Sequence, residues 1–323
     1  MNDLDHLLTQ TSRTFALSIP QLPEPTRTEV TLAYLLFRIA DTFEDAAAWS
    51  RVRRLEALER FAAVVAAPAA EAPALAADLA ASLSEGRAPD LPSAHEGYLK
   101  LLAAMPFVVT RFGALSAAAR RIVGEHTLRT TRGMARFVER TDGDGRLALA
   151  DEDDLADYCY VVAGIVGEML TELFLLGRPA LAADAAYLRR RAAPFGEALQ
   201  LVNILKDAAA DAAEGRQFLP AGVAPEAVFR RARAGLDAAT EYVVRLQLRR
   251  ADGVERGLVA FCALPVRLAR ATLDRVEAEG AGAKLTRPEV YRIVAELERD
   301  LDAGAPAAAA AGAPSTESQI GTV

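Results

Sequence analysis

The chain has 323 residues, of which 52% are hydrophobic and 6% aromatic, and its formal net charge is −7. This length fits one large domain or two ordinary domains with a sizeable core. The negative charge argues against nucleic acid as the main partner, because a phosphate backbone attracts a basic surface.

The chain shows no predicted targeting or membrane segment. Its first residues lack a basic flank followed by an apolar run, so we expect no secretory signal. The most apolar stretch, residues 155–176, is interrupted by three acidic residues, so we expect no transmembrane helix. Cys159 and Cys262 lie in apolar runs, which is typical of buried thiols in a reducing compartment. These features favour a cytoplasmic location.

Helical periodicity dominates the chain, and strand-like alternation is nearly absent. Breaks lie around residues 20–25, at Pro68 and Pro73, and over the polar residues 84–92. Residues 141–150 predict a tight turn, since they lack the glutamate that closes a calcium-binding loop. The predicted helices cover residues 12–20, 26–48, 51–83, 94–105, 107–113, 116–140, 152–176, 183–212, 225–249, 253–278 and 288–302. The pattern predicts an all-α fold.

Two short acidic clusters carry the strongest functional signal. Asp41 and Asp45 lie four residues apart, and so do Asp207 and Asp211. Positions i and i+4 share one face of a helix, so each cluster aims two carboxylates in one direction. Such spacing is also typical of a solvated helix face. The residues before Asp41 are apolar on almost all sides, however, which indicates a buried helix, and buried carboxylates are costly unless paired or metal-bound.

The second cluster continues a polar stripe. Gln200, Asn203, Asp207 and Asp211 follow a spacing of three to four residues on an otherwise apolar helix. The stripe fits either a solvent-facing side or the wall of a cavity. Two facing carboxylate pairs would repel without a cation, and Mg²⁺ binds one or two carboxylates together with water and phosphate oxygens. The pattern suggests a metal-dependent diphosphate site inside a helical bundle.

Several further motifs accompany the acidic clusters. They are residues 12–15 (SRTF), 34–45 (ending in RIADTFED), 158–167 (YCYVVAGIVG), 203–211 (NILKDAAAD) and 215–220 (GRQFLP). In this order the motifs resemble the squalene and phytoene synthases, which join two prenyl diphosphates head to head. The resemblance spans roughly residues 12–300 and implies the single-domain, all-helical isoprenoid synthase fold around a central cavity.

The resemblance also implies a domain boundary. We expect one synthase domain over residues 1–302. Residues 303–323 consist almost only of Ala, Gly, Pro, Ser and Thr, so this tail is predicted to be disordered.

Within the family, three segments are more similar to squalene synthase: residues 133–137 (GMARF), 261–265 (FCALP) and 283–287 (AKLTR). Two positions depart from the family pattern. Ala210 stands where the second acidic motif usually has glutamate. Lys206 replaces the usual arginine, so a forked phosphate contact becomes a point charge.

The resemblance assigns roles to individual residues. Two farnesyl diphosphates, or longer prenyl diphosphates, would bind in one cavity together with Mg²⁺. The implied metal ligands are Asp41, Asp45, Asp207 and Asp211, and the implied substrate-binding residues are Arg13, Arg38, Gln200, Asn203 and Arg216.

Three aromatic residues receive catalytic roles from the resemblance. Tyr158, with Tyr34 as its neighbour, would help to remove the proton that closes presqualene diphosphate, and Phe261 would line the pocket of the second step. Taken without the family, both tyrosines fit buried phenols satisfied by a hydrogen bond.

The final product stays open at this stage. If it is squalene, NADPH supplies a hydride, and Lys284 and Arg287 are the predicted cofactor contacts. Gly164 and Gly167 predict either close helix packing or room for a prenyl tail. They do not predict a dinucleotide fingerprint, because no strand precedes them. The alternatives are a phytoene or dehydrosqualene synthase without a hydride step, an enzyme that stops at presqualene diphosphate or traps the cation with water, and a catalytically silent helical scaffold. Peripheral membrane contact is expected for release of an insoluble product, and the oligomeric state is open.

Overall fold

The computed structural model of the chain describes residues 3–12, 14–84, 91–143 and 145–308. Within them the predicted all-α fold is confirmed, and the helices surround a central cavity. The α-helices are α1 (Asp3–Thr11), α2 (Phe15–Ser18), α3 (Thr26–Glu44), α4 (Arg51–Ala66), α5 (Ala72–Ser84), α6 (Glu96–Ala103), α7 (Met105–Gly113), α8 (Ala117–Glu139), α9 (Glu152–Cys159), α10 (Ile165–Leu175), α11 (Ala185–Ala213), α12 (Pro225–Leu248), α13 (Arg256–Glu279) and α14 (Arg287–Ala303).

Shorter elements connect these helices. The 3₁₀ helices span Ile19–Gln21, Pro179–Asp184 and Arg249–Asp252, and a π-helical turn, Tyr160–Gly164, joins α9 to α10. Two strands of two residues each, β1 (Leu147–Ala148) and β2 (Arg216–Gln217), pair in parallel.

The helix boundaries differ from the sequence prediction in three places near the N-terminus. Helix α1 was not predicted, although Leu4, Leu7 and Leu8 bury one side of it. The helix predicted over residues 12–20 begins only at Phe15 and tightens into a 3₁₀ turn. The helix predicted over residues 26–48 ends at Glu44, which places the first acidic motif at a helix terminus.

The strand pair fixes the backbone around Arg216. Leu147 donates a backbone hydrogen bond of 3.0 Å to Gly215, and Leu149 donates one of 3.1 Å to Gln217. Gly215 has a φ of +80°, which lets the chain leave α11 and turn directly into β2. Two-residue strands are too short to leave an alternating pattern in the sequence.

The helices beside the cavity approach each other closely. A Cβ atom on Gly167 would lie 2.0 Å from the carbonyl oxygen of Ala192, and one on Gly196 would lie 2.0 Å from that of Ala163. Only glycine fits at these positions, so the π-helical turn and α10 pack against α11 almost backbone to backbone. This contact supports the packing role predicted for Gly167.

One helical stretch, Glu152–Leu175, is long and apolar enough by composition to cross a membrane, which the sequence analysis did not expect. Its most apolar window has a mean hydropathy of 1.5, and half of that window is buried by neighbouring parts of the fold. A buried core helix passes the same test, and the stretch packs against α8 and α11.

The start of the predicted disordered tail is packed in the structure. Ala307 and Ala308 are buried, Arg267 donates to the carbonyl of Ala307 at 2.6 Å, and Gln247 accepts from the Ala307 backbone at 2.8 Å. The packed fold therefore continues to Ala308 and not only to residue 302. Residues 309–323 lie outside the described part of the chain.

Candidate active site

The two acidic motifs lie on the final turns of two helices. Asp41 is in the last turn of α3 and Asp45 caps its end, while Asp207 and Asp211 lie in the last two turns of α11. A helix C-terminus carries partial negative charge, so this end of the cavity is strongly anionic. Contrary to the predicted burial, these side chains are partly exposed, from 17% for Asp211 to 52% for Asp45, because α3 ends at the rim of the cavity.

A single arginine joins the two motifs. Arg216 donates hydrogen bonds of 2.9 Å to Asp45 and 3.2 Å to Asp211, and its Nη2 atom also lies 2.7 Å from Glu214. Carboxylates that contact one guanidinium are close enough to act on one bound ion or one diphosphate. The prediction that the pairs face each other is therefore supported, with Arg216 as the cation between them.

Desolvation and like charge raise the pKa values of these carboxyl groups. The pKa of Asp41 rises to about 6, a shift that Arg38 opposes and Asp45 increases. Desolvation and the two neighbouring aspartates place the pKa of Glu44 well above its usual range. Desolvation also raises the pKa of Asp211, and Arg216 opposes this shift. The metal-free site therefore has an excess of negative charge that a cation would relieve.

The donor set fits Mg²⁺ held together with a substrate. Asp41, Asp45, Asp207 and Asp211 offer carboxylate oxygens only, which a hard cation prefers. Among the described residues, no group of three or more His, Cys, Asp or Glu side chains forms a complete metal site. This arrangement suits Mg²⁺, which binds through one or two carboxylates and takes its other ligands from phosphate and water.

A cavity of about 260 Å³ begins at Asp41 and extends between the helices. Polar residues lie at one end of it, where Arg38, Gln200 and Asn203 join Asp41 in the wall. The rest of the wall is almost wholly apolar, with side chains from α2, the 3₁₀ helix Ile19–Gln21, α3, the π-helical turn, α10, α11 and α13: Phe15, Ile19, Val30, Phe37, Val162, Ala163, Val166, Met169, Leu170, Phe174, Ala192, Phe195, Leu199, Phe261, Cys262 and Pro265. An apolar pocket with a charged entrance fits a ligand with a charged head and a hydrocarbon tail.

Two of the predicted catalytic aromatics face this cavity. Phe261 is buried and meets Phe174 edge to face, with ring centroids 5.9 Å apart. Tyr34 lines the cavity near its polar end, and its hydroxyl donates to the carbonyl of Thr11 at 2.7 Å. The Tyr34 phenol is therefore satisfied by a hydrogen bond, as predicted by the interpretation that leaves the family aside.

Tyr158 has different surroundings. It stacks on Phe218 at 4.6 Å and meets Phe137 edge to face at 5.1 Å, and the described cavity wall does not include it. Burial and the nearby carboxylates, Glu44 first among them, raise its pKa well above the usual range for a phenol. Tyr158 is therefore neutral at pH 7 and lies behind the first acidic motif, and its described contacts do not include Tyr34.

The other predicted site residues lie at the polar end of the cavity, at an exposed loop, or outside the described residues. Arg38 pairs with Asp41 at 3.3 Å, and Lys206 lies 3.2 Å from Asn203. Lys284 and Arg287 are exposed, on and just after a loop whose Gly282 donates to the carbonyl of Lys206 at 2.7 Å, so the loop contacts the second acidic motif. Arg13 lies outside the described residues.

Sequence reasoning missed two residues that shape the site. Arg54 is buried and donates to the carbonyl of Glu44 at 3.2 Å, so its positive charge lies at the C-terminus of α3. Tyr98, from α6, lies against Arg38. A lone arginine in an amphipathic helix and a lone tyrosine carry no pattern of their own, and only the fold shows what they contact.

Comparisons with known proteins agree with this geometry. The family model described as squalene/phytoene synthase matches residues 8–293. The squalene synthase ERG9 of Saccharomyces cerevisiae is 28% identical over 288 residues, which cover 84% of this chain and 60% of that protein. The squalene synthase of Schizosaccharomyces pombe is 28% identical over 66% of this chain. The chain spans only 43% of the length of this second relative.

Solved structures show the same fold. The complex of TcSQS with the ligand BPH1237 has a TM-score of 0.65 and 23% identity, over 93% of this chain and 89% of the other. A dehydrosqualene synthase in complex with a ligand has a TM-score of 0.56 and 19% identity, over 93% and 95% of the two chains.

Proposed function

Because the chain belongs to the squalene/phytoene synthase family, we propose that it catalyses the metal-dependent, head-to-head condensation of two prenyl diphosphates. One observation carries this proposal. Two acidic motifs from distant parts of the sequence meet around Arg216 at the entrance of a deep apolar cavity. A catalytically silent scaffold has no use for this concentration of negative charge beside a hydrocarbon-sized pocket.

The residues at the entrance would bind the head of the substrate. Asp41, Asp45, Asp207 and Asp211 would hold Mg²⁺, which when bound neutralises the departing diphosphate. Arg38 and Arg216 would donate to diphosphate oxygens, since guanidinium groups match phosphate geometry. Arg216 would exchange its carboxylate partners for the diphosphate as the metal arrives.

The apolar walls would protect the allylic cation that remains. Phe174, Phe261 and Leu170 present hydrocarbon surface to the cavity and exclude water, which would otherwise trap the cation. Attack by the double bond of the second molecule and loss of one proton give presqualene diphosphate. Because the raised pKa of Tyr158 makes its phenolate costly, we propose that the departing diphosphate takes this proton.

We propose farnesyl diphosphate as the substrate and squalene as the product. The support is the squalene-synthase character of residues 133–137, 261–265 and 283–287, together with the two fungal relatives. This product requires a hydride from NADPH. Lys284 and Arg287 are exposed cations and do not form a built dinucleotide site among the described residues.

Product analysis tests the proposal. The full chain is incubated with farnesyl or geranylgeranyl diphosphate and Mg²⁺, with and without NADPH, and the products are identified by mass spectrometry. We expect squalene from farnesyl diphosphate with NADPH, and presqualene diphosphate without it. Dehydrosqualene or phytoene regardless of NADPH would assign the alternative branch, and no condensation product with either substrate would overturn the proposal.

We also propose a cytoplasmic protein that touches a membrane peripherally, because a hydrocarbon product needs an apolar destination. Val244 and Leu248 are exposed one turn apart on α12 and offer an apolar contact. Flotation with liposomes tests this contact, and a protein that stays at the bottom of the gradient contradicts it.

A further inference from the structure

We propose that Tyr98 is a positioning residue that holds the guanidinium of Arg38 in place to receive a diphosphate. The inference rests on the proposed function and deepens it. It gives a role to α6, a helix that contributes to none of the family motifs identified in the sequence.

Arg38 lies between two tyrosine rings. Its Cζ atom is 5.1 Å from the ring centroid of Tyr98 and 5.7 Å from that of Tyr34. A cation over an aromatic face is attracted to the ring electrons, and two rings on one guanidinium restrict its orientation. Asp41 forms an ion pair with the Nη1 atom of this group, at 3.3 Å.

The remaining side of Arg38 has an unused donor. Its Nε atom is buried and has no hydrogen-bond partner among the residues that the structure describes. A buried N–H without an acceptor is unfavourable, and a ligand oxygen would satisfy it. The Nε atom of Arg216 is buried and unpaired in the same way. Two arginines of the site therefore keep an N–H donor without an acceptor in the described part of the chain.

Both arginines line a second pocket, of about 250 Å³, beside the cavity. Thr42, Ser93 and Tyr98 also line it, together with the acidic residues Asp45 and Glu214. Arg38 belongs to the wall of both pockets. A change in its orientation would therefore alter the diphosphate contacts on either side, and this makes its two aromatic supports important.

Tyr98 is itself held firmly. His95 stacks on its ring at 4.1 Å with an interplanar angle of 28°. The residue before Tyr98, Gly97, lies so close to α1 that a Cβ atom there would be 2.3 Å from the carbonyl oxygen of Gln10. This close contact places the start of α6 against α1 and directs Tyr98 towards Arg38.

The test measures binding of inorganic pyrophosphate to the full chain in Mg²⁺ by calorimetry. We expect Tyr98→Leu to weaken binding about three- to tenfold, in line with the strength of a cation–aromatic contact. Tyr98→Phe keeps the ring and should bind within twofold of the wild type. In an Arg38→Gln background, Tyr98→Leu should have no further effect, because its influence passes through Arg38.

Tyr187 supplies a matched control. Its ring contacts Arg191 at 3.6 Å and Arg245 at 4.4 Å, outside both pockets. Tyr187→Leu should leave pyrophosphate binding unchanged. The inference is overturned if Tyr98→Leu binds like the wild type, if its effect persists in full without Arg38, or if the wild type does not bind pyrophosphate. Failure of the proposed function is a separate result, namely that the wild type forms no condensation product.

Discussion

Arg216 donates a hydrogen bond of 2.9 Å to Asp45 and so joins the segment after α11 to the end of α3. The same guanidinium reaches Asp211, which makes it the internal cation of the site. Arg216 is therefore a built-in counterion of these carboxylates, and under the proposed function it would exchange partners when a diphosphate binds.

The first prediction concerns the aspartates. Asp41→Asn and Asp207→Asn each remove a carboxylate while keeping the side-chain shape. We expect each change to lower consumption of farnesyl diphosphate by about 10²–10³-fold, as the loss of charge stabilisation in an active site does. Asp237→Asn, an exposed aspartate that pairs with Arg270, is the control and should stay within twofold of the wild type. Normal turnover in both site variants would refute the metal assignment.

Arg216→Gln should destabilise the metal-free protein. Without the guanidinium, Asp45, Asp211 and Glu214 repel each other, and we expect a loss of about 1 kcal/mol, since the pairs are partly exposed. Mg²⁺ should stabilise this variant more than the wild type. Urea unfolding in EDTA and in Mg²⁺ measures both effects.

The matched control for Arg216 is Arg233→Gln. Arg233 pairs with two carboxylates, Asp274 and Glu277, where Arg216 pairs with three, and it does so on the surface between α12 and α13. Its loss should not change the response to Mg²⁺. Equal responses to Mg²⁺ in both variants would show that Arg216 does not act as the internal cation.

A third prediction separates two effects of replacing a glycine: the strain put on the backbone, and the disturbance of a neighbouring site residue. Gly215 and Gly253 have φ values of +80° and +103°, where a side chain is strained. Alanine at either position should cost about 1 kcal/mol of stability. Only Gly215→Ala should also lower activity, because a Cβ there lies 3.0 Å from Arg146 and shifts the adjacent Arg216. At Gly253, no atom of another described residue beyond its chain neighbours lies within 4 Å of the Cβ position. Thermal unfolding and turnover are measured in parallel.

The deep part of the cavity contains one polar pair, Thr171 and Tyr242, whose hydroxyls are 2.9 Å apart. Thr171→Val leaves the buried Tyr242 hydroxyl without this partner and should cost about 1–3 kcal/mol. Adding Tyr242→Phe should recover part of that loss, because both polar groups are then removed. Chemical denaturation of the two single variants and the double variant completes the cycle. Strictly additive losses would contradict this explanation.

The raised carboxyl pKa values predict a pH dependence of stability in EDTA. The pKa of Asp41 is about 6 in the folded protein and 3.8 ordinarily, so the folded state binds more protons between these values. The stability that Asp41 contributes through this pKa shift is fully present below pH 4 and is lost as the pH rises through 6. Mg²⁺ should therefore stabilise the protein more at pH 7 than at pH 5. Urea midpoints that rise with pH over this range would contradict the assigned shift.

The sequence by itself determined the helical class and the pairing of aspartates within each motif. Both are local properties: apolar residues recur with the helical period, and Asp41 with Asp45, like Asp207 with Asp211, share a helix face whatever surrounds them. The close packing at Gly167 was also predictable, because a small residue in a long apolar helix has few other uses. Even the local prediction failed at α1, whose nine residues include only three leucines.

The tertiary structure alone decided how these parts meet. Burial of the carboxylates could not be inferred from the apolar helix before Asp41, because burial depends on where α3 ends relative to the cavity. The position of Arg216 depends on a two-residue strand that pairs with β1, far away in the sequence. The contact of Tyr98 with Arg38 depends on how α6 packs against α1 and α3. Such contacts arise from packing between segments that are distant in the sequence, so a short local pattern does not predict them.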